Sequence, residues 1–321
     1  MSALRSRIAL PGPGRITLVA LAVIPAVLAY PWRTAHDRWV LGVGVVLAVV
    51  LLAWWRGRHL TSVVAGRIAL LVRGRRPSTH QPAPLTDART TVALRLAPGA
   101  HDEIPLSLIA GYLDRYGVRA DAVRLTSRDT ASGRTTWVTL TLSATANLVA
   151  LQARSADLPL RETAETVLRR LADHLRELGW SVNTTDLDIP DLLGPVPQER
   201  WRSVQDGTQG YLTAYGVTVG EDLGSTLAEI RAYPSSEVWT AVQITGTVQR
   251  PKLAAAAAIR SEDGSPADLP TLVVQDGRQL AAVTSLHPLS LEGVVAEQVQ
   301  LSQVPDVGWP TSAVGERAGL G

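Results

Sequence analysis

The chain of 321 residues contains no cysteine, no phenylalanine and a single lysine, Lys252. Without thiols it can have no disulfide framework of the kind that staples small secreted domains, no thiolate zinc or iron–sulfur site and no cysteine nucleophile. With phenylalanine missing, tryptophan and leucine must supply the bulky part of any core. The lone lysine follows Pro251 in a hairpin pattern, and no Gly-x-x-x-x-Gly-Lys-Ser/Thr loop exists, which excludes a P-loop ATPase. The histidines, His36, His59, His80, His101, His174 and His287, never stand three or four residues apart. No helical two-histidine metal site can therefore form. A Gly-x-Ser-x-Gly nucleophile elbow is missing as well.

What is present is unevenly distributed. The formal net charge of +2 is a cancellation: residues 1–76 carry 11 basic residues against one acid, Asp37, whereas residues 77–321 carry 20 bases against 28 acids. The pI of about 9.2 is thus no sign of nucleic-acid binding. A mean hydropathy of +0.11 is high for a purely soluble chain.

Two uncharged runs, Ile16–Trp32 and Trp39–Trp55, are each 17 residues long. As helices they would extend about 26 Å, near the lower limit for crossing a hydrocarbon core. Trp32 and Tyr30 close the first run, and Trp39, Trp54 and Trp55 flank the second, where amphipathic rings prefer the membrane interface. No small-x-small cleavage site follows the first run, so a transmembrane hairpin is expected over 16–55 rather than a signal peptide. Gly42 and Gly44 suit close helix packing. Arginines cluster outside the hairpin: Arg5, Arg7 and Arg15 before it, and Arg56, Arg58, Arg67, Arg73, Arg75 and Arg76 after it. The positive-inside rule then places both termini, and the large domain, in the cytoplasm at the inner membrane. The expected order is a basic N-terminus (1–15), the hairpin (16–55), a basic amphipathic juxtamembrane segment (56–76), a Pro-rich linker (77–89), a cytoplasmic domain (90–304) and a Gly/Pro-rich flexible tail (305–321).

Within the domain, alternation predicts strands at Thr90–Leu96, Ala120–Ser127, Arg134–Leu142, Trp180–Thr184, Tyr211–Val217, Glu237–Val248 and Leu253–Arg260. Helical spacing predicts helices at Ile104–Tyr116, Ala144–Ala153, Glu162–Leu178 and Glu221–Ala232. The first six major elements run strand, helix, strand, strand, helix, strand, so the fold class expected is two transmembrane helices followed by an α/β (α+β) domain, with an elaborated ferredoxin-like first half and a second α/β half. Asp186-Leu187-Asp188, beyond a strand, is the one Asp-x-Asp in the chain, and two close carboxylates of this kind could hold a divalent cation. The same pattern is ordinary in an acidic surface loop. Trp137, Trp180, Trp201 and Trp239 read as core or interface aromatics. No cofactor or metal ligand set is identified.

The two-span hairpin, Ala53-Trp54-Trp55-Arg56-Gly57-Arg58 and the arginine cluster are followed by Thr136-Trp137-Val138-Thr139-Leu140-Thr141-Leu142, Ala146-Asn147, Ala153-Arg154-Ser155-Ala156-Asp157-Leu158-Pro159-Leu160 and a helix ending in Gly179-Trp180. This combination resembles EccE, a membrane component of type VII (ESX) secretion systems. The resemblance implies a non-enzymatic subunit of an inner-membrane secretion complex with EccB, EccC and EccD, where EccC is the ATPase motor. It supplies no catalytic residue. The membrane and interface candidates are then Trp32, Trp39, Gly42, Gly44, Trp54, Trp55, Arg56, Arg58, Arg67, Arg73, Arg75 and Arg76. Two other functions stay open: a membrane-tethered glycosyltransferase-like enzyme using Asp186 and Asp188, and a membrane-anchored recruitment module.

Overall fold

In a computed structural model of the chain, the described residues are 54–55, 58–59, 88–97, 103–304 and 307–310. The chain divides into two compact units, Met1–Ser78 and Thr79–Gly321. In the first unit, Trp54–Trp55 pairs antiparallel with Arg58–His59.

The second unit is built on one sheet of 11 strands. In chain order these are β1 (Arg89–Ala97), β2 (Ala122–Thr130), β3 (Gly133–Ser143), β4 (Ser181–Asn183), β5 (Gln198–Glu199), β6 (Val204–Gln205), β7 (Tyr211–Val217), β8 (Glu237–Thr247), β9 (Arg250–Ser261), β10 (Leu272–Val274) and β11 (Val299–Gln300). The helices are α1 (Leu106–Ala110), α2 (Leu148–Gln152), α3 (Leu160–Glu177), α4 (Leu223–Arg231) and α5 (Gln279–Ser285). Across the sheet the order is β5-β6-β7-β9-β8-β2-β3-β1-β4, with β10 paired to β7 and β11 to β9. Two runs of strand, helix and hairpin, β1-α1-β2-β3 and β7-α4-β8-β9, meet where β2 pairs antiparallel with β8 from Ala122↔Thr245 to Thr130↔Glu237.

Strand alternation sends side chains to two cores on opposite faces. Leu94, Val123, Leu125, Val138, Leu140, Val242 and Ile244 join α1, α3 and α4 on one face. Trp137, Trp239, Ala241, Leu212 and Ala214 join α5 and the chain around Leu192 and Val294 on the other. The run of alanines in β9 is a good helix former by intrinsic propensity, yet it lies inside the sheet. Ala255 and Ala257 serve one core, Ala256 and Ala258 the other. Their small side chains leave room for Trp239, directly opposite Ala258, and Tyr215, directly opposite Ala257.

Helix α3 carries its buried positions, including Ala164, Val167, Leu168, Leu171 and Leu175, at helical spacing against β1 and β3. It stops at Gly179, whose φ of +95° only glycine adopts without strain. There Trp180 N–H reaches Leu175 C=O at 2.9 Å, the six-to-one bond of a Schellman terminus.

The structure corrects the expected fold class. Among the described residues no helix is long and apolar enough to cross a membrane. Most of both expected spans lies outside the described residues, and Trp54–Trp55, expected as the end of the second, is in an antiparallel strand pair. The large domain is mostly β-sheet, of α+β type, rather than two α/β halves. Its halves are not separable, because the β2–β8 ladder and a common core run through both. The helix expected over Ile104–Tyr116 is also broken. Glu103–Pro105 pairs with Gly308–Pro310, α1 follows, and Asp114–Arg115 turns back on Val118–Arg119. Tyr116 and Gly117, with φ of +59° and +74°, supply the two positive-φ residues of a tight hairpin turn, which helical spacing alone does not reveal. Gly308–Pro310 lies in the stretch whose composition reads as a flexible tail, but Trp309 is fully buried.

Candidate functional site

Most of the membrane and interface candidates, Trp32, Trp39, Gly42, Gly44, Arg56, Arg67, Arg73, Arg75 and Arg76, lie outside the described residues. Trp54, Trp55 and Arg58 belong to the short strand pair. The structure does place the candidate acids. Asp186 and Asp188 sit in the exposed loop after β4. That loop turns away because Asn183 Oδ1 accepts hydrogen bonds from the backbone N–H groups of Thr185 and Asp186. Asp188 has 72% of its side chain exposed and faces Arg95 at 3.4 Å. Trp137 pins the loop from below, its indole N–H donating to Leu187 C=O at 2.7 Å. Among the described residues no three His, Cys, Asp or Glu side chains come together as metal ligands, so the structure brings no third acid to this pair. Trp137 and Trp239 stack with ring centroids 5.8 Å apart inside the second core.

The charged side chains that the fold does gather are structural anchors. Arg124 occurs in Ala122-Val123-Arg124-Leu125, within a strand covered on both faces, and is only 4% exposed. Among the described residues no carboxylate bonds it. Its guanidinium instead donates to Gln243 Oε1 at 3.1 and 2.8 Å, and to the carbonyls of Ser285, His287 and Glu292 at 2.7, 3.1 and 2.5 Å. Ser285 ends α5, so the cation meets the negative end of a helix. Burial lowers the Arg124 pKa to about 10, which leaves it charged at neutral pH. The arginine thereby fastens the chain from Ser285 to Val294 onto the sheet.

A second network lies where β8 begins and β9 ends. Glu237 accepts from Arg128 at 2.5 Å and from Arg260 at 2.6 Å, while Arg260 also donates to Asp206 at 3.0 Å and to Leu192 C=O at 3.2 Å. Asp206 Oδ1 in turn accepts the Gly194 N–H. These bonds fix the long Pro/Asp/Gly-rich segment between β4 and β7 to the sheet. A third group surrounds Trp309, whose indole N–H donates to Ser127 Oγ at 2.8 Å and whose ring lies 4.4 Å from the Arg231 guanidinium. Burial pushes the Arg231 pKa down to about 9, with Arg134 adding to the effect and Asp129 opposing it.

Sequence pattern singles out none of these arginines. The available signal was an ionisable residue at an inward position of an otherwise apolar strand. It shows that a partner is required without saying which one, because the carbonyls that hold Arg124 lie more than 160 residues away.

Comparison with known proteins adds to this picture. Residues 130–217 match the family described as type VII ESX secretion system translocon, EccE. That stretch begins at the β2–β3 hairpin and ends with β7. The chain is 45% identical over 294 residues to the ESX-3 secretion system protein EccE3 of Mycolicibacterium smegmatis, covering 90% of this chain and 92% of the relative. It is 44% identical over 317 residues to the ESX-3 secretion system protein EccE3 of Mycobacterium tuberculosis, covering 95% and 94%. With identity of this order over nine-tenths or more of its length, the chain belongs to the EccE family, a component of the type VII ESX secretion system.

Proposed function

We propose that this chain is a non-enzymatic structural subunit of a type VII (ESX) secretion complex at the inner membrane. Residues 1–76 attach it there, its sheet domain lies on the cytoplasmic side, and it binds EccB, EccC and EccD. The observation that carries this reading is how the buried charges are used. Arg124, Glu237, Arg260 and Asp206 all bond to loops or to one another, which suits a rigid domain that presents surfaces. The similarity to ESX-3 secretion proteins across nine-tenths or more of the chain supports the same conclusion. The strong basic bias of residues 1–76 supports attachment to an anionic cytoplasmic leaflet. On this reading Trp32, Trp39, Gly42, Gly44, Trp54 and Trp55 contact lipid or partner segments, and the arginines from Arg56 to Arg76 contact headgroups or partner acids.

Purification in mild detergent through a tag on this chain should recover EccB, EccC and EccD together with it. A lone monodisperse chain would overturn the assembly role. Replacing Arg73, Arg75 and Arg76 with glutamate should lower recovery of the complex, and an unchanged yield would remove that role from the cluster.

A further inference from the structure

Strand β1 is only partly covered on the side facing away from β3. Strand β4 pairs with it at Arg95, Leu96 and Ala97 and no further. The Asn183 side chain then bends the chain off the sheet by capturing the next backbone N–H groups. Among the described residues, β1 has no strand partner on this side from Thr90 to Leu94. The direction of its backbone groups follows from the ladder. Ala144 N–H donates to Ala88 C=O at 2.8 Å, and antiparallel pairing alternates, so Thr90, Val92 and Leu94 bond to β3. The N–H and C=O of Thr91 and Ala93 therefore point to the open edge, in line with Arg95 and Ala97, which bond to β4.

This edge lies in a cleft of about 620 Å³. One wall is α3, contributing Arg161, Glu165, Leu168 and Arg169; the opposite wall is apolar, formed by Leu187, Leu289 and Leu291. Leu289 and Leu291 are 41% and 47% exposed, so this wall presents apolar surface to the cleft. On the α3 wall, Glu165 is engaged by Arg161 at 3.0 Å, while among the described residues Arg169 reaches only the Glu165 carbonyl and the Thr166 hydroxyl, each at 3.4 Å. The wall is thus net positive.

We propose that the β1 edge is a docking site for an extended peptide segment of a partner protein, which adds to the sheet as a strand collinear with β4. The five residues from Thr90 to Leu94 span about 16 Å of strand. Alternate side chains of the guest face opposite walls, so the segment that fits has acidic residues toward Arg161 and Arg169 alternating with apolar residues toward Leu187, Leu289 and Leu291. Main-chain hydrogen bonds at Thr91 and Ala93 provide affinity, and the two unlike walls set register and sequence preference. An open edge is otherwise an aggregation hazard, and the arginine-lined cleft restricts which strands can reach it. The site does not depend on which subunits surround the domain. If tagged chain recovers its partners while the peptide probe fails, the docking mode falls and the assembly role stands.

The test is fluorescence anisotropy on the full-length protein in mild detergent. The probes are a labelled peptide of alternating valine and glutamate, the same peptide with lysine for glutamate, and the glutamate peptide N-methylated at alternate residues. The glutamate probe should bind at least about tenfold more tightly than either of the others, and more weakly as salt is raised. Thr91→Pro should weaken it about tenfold or more, since proline removes an edge N–H that β3 does not use. The exposed pair R161E/R169E, which leaves the strand untouched, should reverse the preference toward the lysine probe and decides the matter if Thr91→Pro misfolds. Equal affinity for glutamate and lysine probes, full binding of the N-methylated probe, or no binding at all would overturn the proposal. So would a dimer of the chain that Thr91→Pro abolishes, which would make the occupant a second copy.

Discussion

Replacing Arg124 with methionine keeps much of the side-chain length and removes every donor. It would leave the carbonyls of Ser285, His287 and Glu292 without the guanidinium they now share, while Gln243 Oε1 would keep only the Val294 N–H at 3.1 Å. The His287 C=O would keep the Ser290 N–H at 2.9 Å, so at about 1–3 kcal/mol for each buried acceptor left without a donor the Ser285 and Glu292 carbonyls would together cost about 2–6 kcal/mol. The segment that carries them can lift and admit water, because Leu289 and Leu291 on it are nearly half exposed. That relief limits the loss to about 2–4 kcal/mol, in the range for breaking a buried polar network. Arg124→Lys retains a charge and three donors, but not the planar fork that reaches four oxygens, and should lose about 1–3 kcal/mol. Urea denaturation gives the magnitudes, and hydrogen exchange gives their location. In Arg124→Met, amides from Ser285 to Val294 should lose protection while the β2–β8 ladder keeps it. If Arg124→Met were as stable as the parent, with unchanged exchange in that segment, the anchoring role argued here would be wrong.

The same segment should respond to acid. Burial lowers the His287 pKa below its ordinary value, with Asp191 opposing the shift and Arg124 adding to it, and His287 Nδ1 accepts the Leu289 N–H at 3.2 Å. The folded state thus favours the neutral ring: its contribution is present above about 6.5 and is lost as pH falls through the depressed folded value. Exchange from Ser285 to Val294, corrected for intrinsic rates, should rise toward pH 5, and a flat profile would refute this. Glu237→Gln leaves Arg128 and Arg260 without their shared carboxylate and should cost about 3–5 kcal/mol in a denaturant titration; a loss below about 1 kcal/mol would mean that the network is dispensable. Truncation after Gln303 removes the buried Val304, Val307 and Trp309 and should lower stability by at least about 3 kcal/mol, as expected for losing a buried tryptophan alone. An unchanged melting temperature would return these residues to the status of a tail. Asp186→Asn with Asp188→Asn should shift stability by less than about 0.5 kcal/mol, because both acids are exposed, and should leave recovery of the secretion complex intact; loss of the complex would reveal a role for the loop.

Much of the chain is legible from local pattern, because strand alternation and helical spacing are set by residues a few positions apart. The strand at Tyr211–Val217 and the helix around Ala164–Leu175 follow from their own apolar periodicity. The charge contrast between residues 1–76 and 77–321 follows from counting. The resemblance to EccE rests on such local signals as well, the strand around Trp137 and the helix ending in Gly179-Trp180 among them. What local pattern cannot contain is which distant segment pays the desolvation of a buried charge and which edge stays open. That β2 would pair with β8 and merge two halves into one sheet was decided by register over more than 100 residues of separation. The same holds for Arg124, whose acceptors come from the end of α5 and the segment beyond it, and for Trp309, drawn from a Gly/Pro-rich stretch into the core. The open edge of β1 arises only because Asn183 turns the chain away after three paired residues, a local turn whose consequence exists only once β1 lies beside it. Residue type determined what each segment needed; the tertiary structure decided what met the need, because long-range packing selects among partners that local propensity cannot distinguish.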